Sequence, residues 1–566
     1  MVGVLISLKL TLLRHSPKGL RQTGWVLGAL LVLSTWAGVL LATAGAVRVE
    51  VQVLTAVGWG VGAVLGPVLM SGAGVLRAEY FTLLPLDRSR LALGLLAAVF
   101  PSVASGYLLL ALLAAVVPAV ALGPLAVAVA VLGALLAWVV VITLARLVYA
   151  ALGSAMRTWL GVEIAGLQFG LLIGAMLAGW MVVAAAFQTV PLLLAEGLPD
   201  DVTAVLAVLP TSWPVRAAEA VGTGRTGTGL AWLLALALLA ALLLALAAVL
   251  LRPNLDGRSR RRNRRPLGSR RGRRLLPDTA LGAVLGKELR QWWRDPWRAL
   301  ELRSGFYTGV VFGVFSAVSG DFAVVAPLSG LVIALMICLA ACNLYGQDGS
   351  AVWVSIVNQR PDTVTADVRG RQLAVLLLVL PPAAVVSVVL VLVSDAAWAW
   401  PVVAAGLPAL AGVASGIAVL VSAVGVSPGV DPRARTGPND AGGDMGLQAQ
   451  VALWGTLLLV LPTAVALVVG FVALPGWGPW AAVAVGVLNG ALGYGLLGRL
   501  TTGYLATRLP TVYTRIRYGR NDDTGARGTL GWFETSSQQA EEKAREAKLA
   551  ERRARAERRM TPTGRP

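Results

Sequence analysis

Apolar residues gather along this chain into runs of about twenty, the length that crosses the hydrocarbon core of a bilayer as an α-helix. A helix satisfies its own backbone hydrogen bonds in lipid, so such runs predict helices and not barrel strands. About twelve spans of this length are expected. They fall near 24–46, 52–75, 91–116, 123–145, 163–190, 229–251, 304–320, 322–345, 373–394, 401–424, 451–473 and 480–499. The fold class expected is an all-α polytopic membrane protein. The opening MVGVLISLKLTLLRHSP has its apolar stretch interrupted by Lys9 and Arg14. It is too short to span and reads as an interfacial helix. It also lacks the basic start and small-residue cleavage site of a signal peptide.

Basic residues fall at alternate connections between these runs, from Lys9 through Arg77, Arg88, Arg146, Arg360 and Arg433 to the C-terminal tail. The other connections are short or mildly acidic. By the positive-inside rule both termini face the cytoplasm, in a multi-pass protein of the cytoplasmic membrane. The Arg-, Gly- and Pro-rich stretch 252–278 divides the spans six and six. The expected organisation is a six-helix domain at 1–251, a basic linker at 252–278, a second six-helix domain at 279–505 and a charged tail at 506–566. An even number of spans before the linker makes the halves parallel repeats. Within the tail, Glu541 with Arg545 and Glu551 with Arg555 are supportive helical pairs, without the heptad seam of a coiled coil.

Composition agrees with lipid as the main solvent: 57% of the 566 residues are hydrophobic and 14% charged. The net charge of +19 has no soluble basic domain to carry it, which argues against nucleic acid. Anionic lipid headgroups are the expected partner of the basic segments. Cys338 and Cys342 share a helix face and read as small packing residues.

The segment GKELRQWWRDPWRALELRSG, 286–305, interrupts the apolar pattern. Lys287, Arg290, Arg294, Arg298 and Glu301 recur at helical spacing, with Leu281, Leu285, Leu289, Trp292 and Trp293 broadly opposite. This predicts an amphipathic interfacial helix. Asp295-Pro296 predicts a restart, with Asp as N-cap and Pro in the first turn. A related segment, LLRHSPKGLRQTGW, precedes the first span.

GKELRQWWRDPWR resembles the interfacial helix that opens the membrane domain of ABC-2-type permeases, the membrane subunits of ATP-binding-cassette exporters. NLYGQDGSAVWVSIVNQRPDTVTADVRGRQLA and LLPLDRSRLALGLL resemble the cytoplasmic loop after the second helix of that family. The resemblance implies six helices per membrane domain, here with two domains fused. It implies contact with separate nucleotide-binding ATPase subunits, which would bind ATP and Mg; the chain itself would bind no cofactor. Carried over residue by residue, the contact would involve Lys287, Glu288, Arg290, Arg294 and Asp295 of the opening helix. From the loops it would involve Leu84, Pro85, Asp87 and Arg88, and Arg360, Pro361, Asp362, Arg369 and Arg371. In the long connection 191–228 the family often has short re-entrant helices.

No phosphate-binding GxxxxGK[ST] motif occurs, so an ATPase of that type is not expected in this chain. A single histidine, His15, leaves no Ser-His-Asp or His-rich metal arrangement, and no catalytic residue or metal site is expected. Two alternatives to the permease remain open. One is a twelve-helix secondary carrier of the major facilitator type, whose D-R-x-G-R-R loop ADVRGRQ at 366–372 resembles. Against it, the expected spans hold almost no ionisable residue at mid-depth. The other is a non-transporting membrane scaffold. Gln168 and Asn489 are the polar candidates for a substrate path, and each would equally serve as an interhelical hydrogen bond.

Overall fold

A computed structural model describes residues 2–15, 18–43, 45–69, 88–155, 159–250, 276–357, 360–429 and 446–518. Every regular element among them is helical. Among the described residues, eleven helices are long and apolar enough to cross a membrane. The expected linker 252–278 and the tail after 518 lie almost wholly outside the described residues.

The chain forms two compact units, residues 1–164 with 180–272, and residues 165–179 with 273–566. The first holds α1 (Val2–His15), α2 (Lys18–Leu41), α3 (Gly45–Leu69), α4 (Arg88–Ala97), α5 (Val103–Leu112), α6 (Val116–Val120), α7 (Pro124–Ala155), most of α8 (Trp159–Glu196), α9 (Asp200–Ala207), α10 (Trp213–Gly222) and α11 (Thr226–Leu250). The expected span 91–116 is divided. α4 ends at Ala97, and α5 begins only at Val103. Pro101 disfavours helical backbone at Phe100, and the Ser102 hydroxyl then caps α5 by accepting from the Ser105 N–H at 3.2 Å. The connection 191–228 contains the two short helices α9 and α10. Val215, Ala217, Ala218 and Val221 of α10 are buried in a cluster with Ala126, Val129 and Ala130 of α7. Gly133 of α7 lies beneath Pro214, where a Cβ would strike the proline backbone.

The second unit holds α12 (Ala280–Arg294), α13 (Pro296–Ala317), α14 (Ser329–Ala340), α15 (Leu344–Asp348), α16 (Trp353–Val357), α17 (Pro361–Val393), α18 (Ala399–Val424), α19 (Gly446–Ala473) and α20 (Gly478–Tyr518). α18 is its axis, and 83% of its most apolar window is buried inside the protein. Its Ala- and Gly-rich sequence permits close backbone approach. Gly412 and Gly490 face each other so tightly that a Cβ on either would collide with backbone of the opposite helix. Residues 165–179 of α8 set Gly166, Gly170 and Gly174 against Arg303, Tyr307 and Val311 of α13. Both series step by four, which keeps each on one helix face.

Four expectations shift here. The run 304–320 belongs to α13, which is not among the eleven apolar helices. Arg298, Glu301 and Arg303 occupy its early turns. The run 322–345 stops at Ala340, and the chain turns before α15. α17 begins at Pro361 instead of residue 373, and α20 runs unbroken past residue 505 to Tyr518. Its length is roughly 60 Å at the α-helical rise.

Candidate functional site

The basic segment forms a helix, a corner and a second helix. The Thr279 hydroxyl caps α12 by accepting from the Gly282 N–H at 3.1 Å. α12 ends at Arg294, where Asp295 takes extended backbone. Asp295 Oδ1 accepts from the Trp297 N–H at 2.9 Å and the Arg298 N–H at 3.4 Å. Pro296 sits at the first position of α13, where no N–H is needed. The corner redirects the next residues. Arg298 and Glu301 do not extend the exposed stripe but enter the interior of the second unit.

There Arg298 meets carboxylates from two elements. Its Nη1 donates to Glu288 Oε2 of α12 at 2.7 Å, and its Nη2 to Asp348 Oδ1 of α15 at 2.7 Å. Nη2 also reaches the Leu344 carbonyl at 3.1 Å. Arg371 of α17 binds the same two acids from the other side. Its Nη2 lies 2.6 Å from Asp348 Oδ2, and its Nη1 2.9 Å from Glu288 Oε1, a contact too poorly aligned for a hydrogen bond. Arg371 Nε reaches Asp367 Oδ2 at 3.2 Å, and the guanidinium covers the Tyr345 ring at 4.2 Å. Tyr345 donates its hydroxyl to Asp367 Oδ2 at 2.7 Å. Lys287 closes the group against Asp348 and, at 3.2 Å, Glu288 Oε1. Three cations thus meet three carboxylates, and Glu288, Arg298, Asp348 and Arg371 are all at most 1% exposed.

The short α15 is held where this geometry needs it. The Tyr345 N–H donates to Ser422 Oγ of α18 at 2.8 Å. Asn343 clasps Ser427, donating to its carbonyl at 2.8 Å and accepting from its N–H at 3.1 Å. After Asp348 the chain reverses at Gly349 with φ +57, a conformation that favours glycine.

The electrostatics follow from this crowding. Burial alone would push the Glu288 and Asp348 carboxyls up. For each, the attraction of Arg371, Arg298 and Lys287 together outweighs it and holds the group below the usual carboxylate range. Burial opposes the charge on Arg298, but Glu288 and Asp348 more than restore it. A neutral, fully paired cluster can stay ionised inside a protein, whereas removing one partner leaves an uncompensated charge. The carboxylates are occupied by cations, so the cluster's chemistry is mechanical. It fastens α12, α13, α15 and α17 to one another.

The residues expected at an ATPase contact separate into groups. Arg290, Arg294, Arg360, Pro361 and Asp362 are exposed. Glu288 and Arg371 are buried and hold α12 from within, with Lys287 half-buried beside them. Asp295 is the corner cap. Arg369 faces α20, donating to the carbonyls of Tyr494 at 3.1 Å and Gly495 at 3.3 Å. Its guanidinium lies 4.9 Å from the Tyr494 ring. Leu84, Pro85 and Asp87 lie outside the described residues, and Arg88 begins α4. Asn489 donates to the Leu459 carbonyl at 3.1 Å and Thr463 Oγ1 at 3.0 Å, which ties α20 to α19. Gln168 lies half-buried on α8. Sequence reasoning missed the roles of Arg298, Tyr345, Asp348 and Asp367 in the cluster. The available signal was an ionisable residue, Asp348, set between Gly residues just past an apolar run.

No protein-family model matches the chain, and neither curated proteins nor solved structures give a significant match.

Proposed function

We propose that the chain is the permease subunit of an ABC-2-type transporter. It moves a substrate across the cytoplasmic membrane, outward by the family resemblance, and separate nucleotide-binding subunits hydrolyse the ATP. In this reading the halves are parallel six-helix repeats with cytoplasmic termini. α12 is the element that receives the partner's motion, through the exposed Arg290 and Arg294. The observation that carries the reading is the buried ion cluster. It joins a cationic surface helix without slack to the starts of α13 and α17, as a transmitting element requires. A helix serving only as a lipid anchor has no need of three elements locked behind it.

Substitution of Arg290 and Arg294 by Glu tests this. Both side chains are exposed, so thermal stability should hold while co-purification of a nucleotide-binding protein is lost. A variant that retains the partner and its stimulated ATPase rules out α12 as the contact. One observation favours the carrier reading instead. Asp367 and Arg371, from the ADVRGRQ segment, belong to a buried charge network such as ion-coupled carriers use. Transport in vesicles driven by an ion gradient without ATP would decide for it.

A further inference from the structure

Glu301 lies one turn beyond Arg298 on α13, before the helix's apolar stretch, and is 8% exposed. Its Oε2 accepts from Gln347 Nε2 of α15 at 2.8 Å, and its Oε1 has no hydrogen-bond partner. Among the described residues no Lys or Arg forms an ion pair with it. The cluster beside it offers no spare charge, because three cations already face three carboxylates. Arg298, one turn earlier on the same helix, is committed to Glu288 and Asp348. Asp295, from the corner before α13, opposes a negative charge on Glu301. A buried carboxylate without compensation neutralises by taking a proton.

We propose that Glu301 is a proton-binding site: it holds a proton while α15 is docked on α13, and separation of α15 releases that proton to water. Burial is the main cause that raises its carboxyl, to about 8, against the opposing pull of Gln347, Trp297 and Arg298. Set free in water, the same group would titrate near 4.3. The docked state therefore binds one more proton between these two values. Within this window docking is strongest at the acid end and weakens up to tenfold per pH unit as the pH rises. Above about 8 this dependence ends. Glu301 would act in this way whatever the cargo or driving subunit, because only the second unit builds the site.

Infrared difference spectroscopy of the full-length protein, titrated through that value, tests the site. A protonated-carboxyl C=O band should disappear with a midpoint near 8 and be absent from Glu301→Gln. Gln347→Leu removes the donor that favours the charged form and should move the midpoint up by roughly half to one unit. Absence of a titrating band, a band that survives Glu301→Gln, or an unmoved midpoint in Gln347→Leu overturns the assignment. Hydrogen exchange of residues 344–348, corrected for the intrinsic pH effect, tests the release. It should rise with pH in the wild type and lose that rise in Glu301→Gln. The same rise in both proteins refutes release on separation.

Discussion

Replacing Arg371 with Met removes the guanidinium that touches Glu288, Asp348 and Asp367 at 2.9, 2.6 and 3.2 Å. Lys287 and Arg298 then face three carboxylates, and one negative charge is left inside the protein. Breaking a buried ionic arrangement in this way costs about 3–5 kcal/mol. For a folding unit of this size each kcal/mol moves the melting temperature by about 2 °C, so the expected loss is roughly 6–10 °C. Thermal unfolding of the purified protein in one fixed detergent, followed by near-UV circular dichroism, measures it. Arg371→Met combined with Asp348→Asn restores equal numbers of cations and anions. The double variant should be more stable than the sum of its parts by about 0.5–3 kcal/mol. Arg360→Met is the surface control. Its pair with Asp362 spans 3.7 Å between side chains over 70% exposed, and the effect should stay below about 1 kcal/mol. A melting temperature for Arg371→Met no lower than that of Arg360→Met, or strict additivity in the double variant, would refute the electrostatic account of the joint.

Acid should loosen the same joint. Glu288 and Asp348 titrate below their unfolded values. Their contribution is therefore complete above about pH 4 and lost as the pH falls through the lower folded values. In Arg371→Met the melting temperature should begin to fall at a higher pH than in the wild type. Gly490→Val places a side chain against the Pro408 carbonyl and the backbone of α18. It should cost about 3 kcal/mol or more, seen as loss of the monodisperse peak in size-exclusion chromatography. Asn489→Leu removes one α20–α19 bond and should lower stability by only about 0.6 kcal/mol; a much larger loss of transport than of stability would instead indicate contact with cargo.

What the sequence revealed was local. The exposed Arg290 and Arg294 and the break at Asp295-Pro296 depend on periodicity and cap chemistry within a few residues, and both are present; Lys287, read on the same stripe, turns instead to Asp348 and Glu288. The cluster was not legible because its partners are distant in sequence. Glu288 meets Arg371, and Asp348 meets Arg298, only after α15 and α17 are packed. Periodicity also assigned Arg298 to the wrong surface, since the stripe was followed through a corner that turns the chain inward. Hydropathy counted 304–320 as an independent span because Arg298, Glu301 and Arg303 fell just outside that window. Asn489 could be identified as polar among apolar neighbours, but only the position of α19 shows which groups it serves.

The length of α20 gives the second unit a sensitivity to its surroundings. From Gly478 to Arg499, its first charged residue, the helix rises roughly 30 Å, which matches the hydrocarbon thickness of a typical bilayer. A similar length of helix continues beyond Arg499, with Pro510 inside it. Near its far end Tyr513 packs against Trp353 at 5.7 Å, close in the chain to Asp348. A membrane thinner than the apolar portion tilts such a helix, and the tilt swings the distal half through a wider arc. Bilayer thickness thereby becomes an input to the ion-paired end of the protein, delivered by leverage instead of by a ligand.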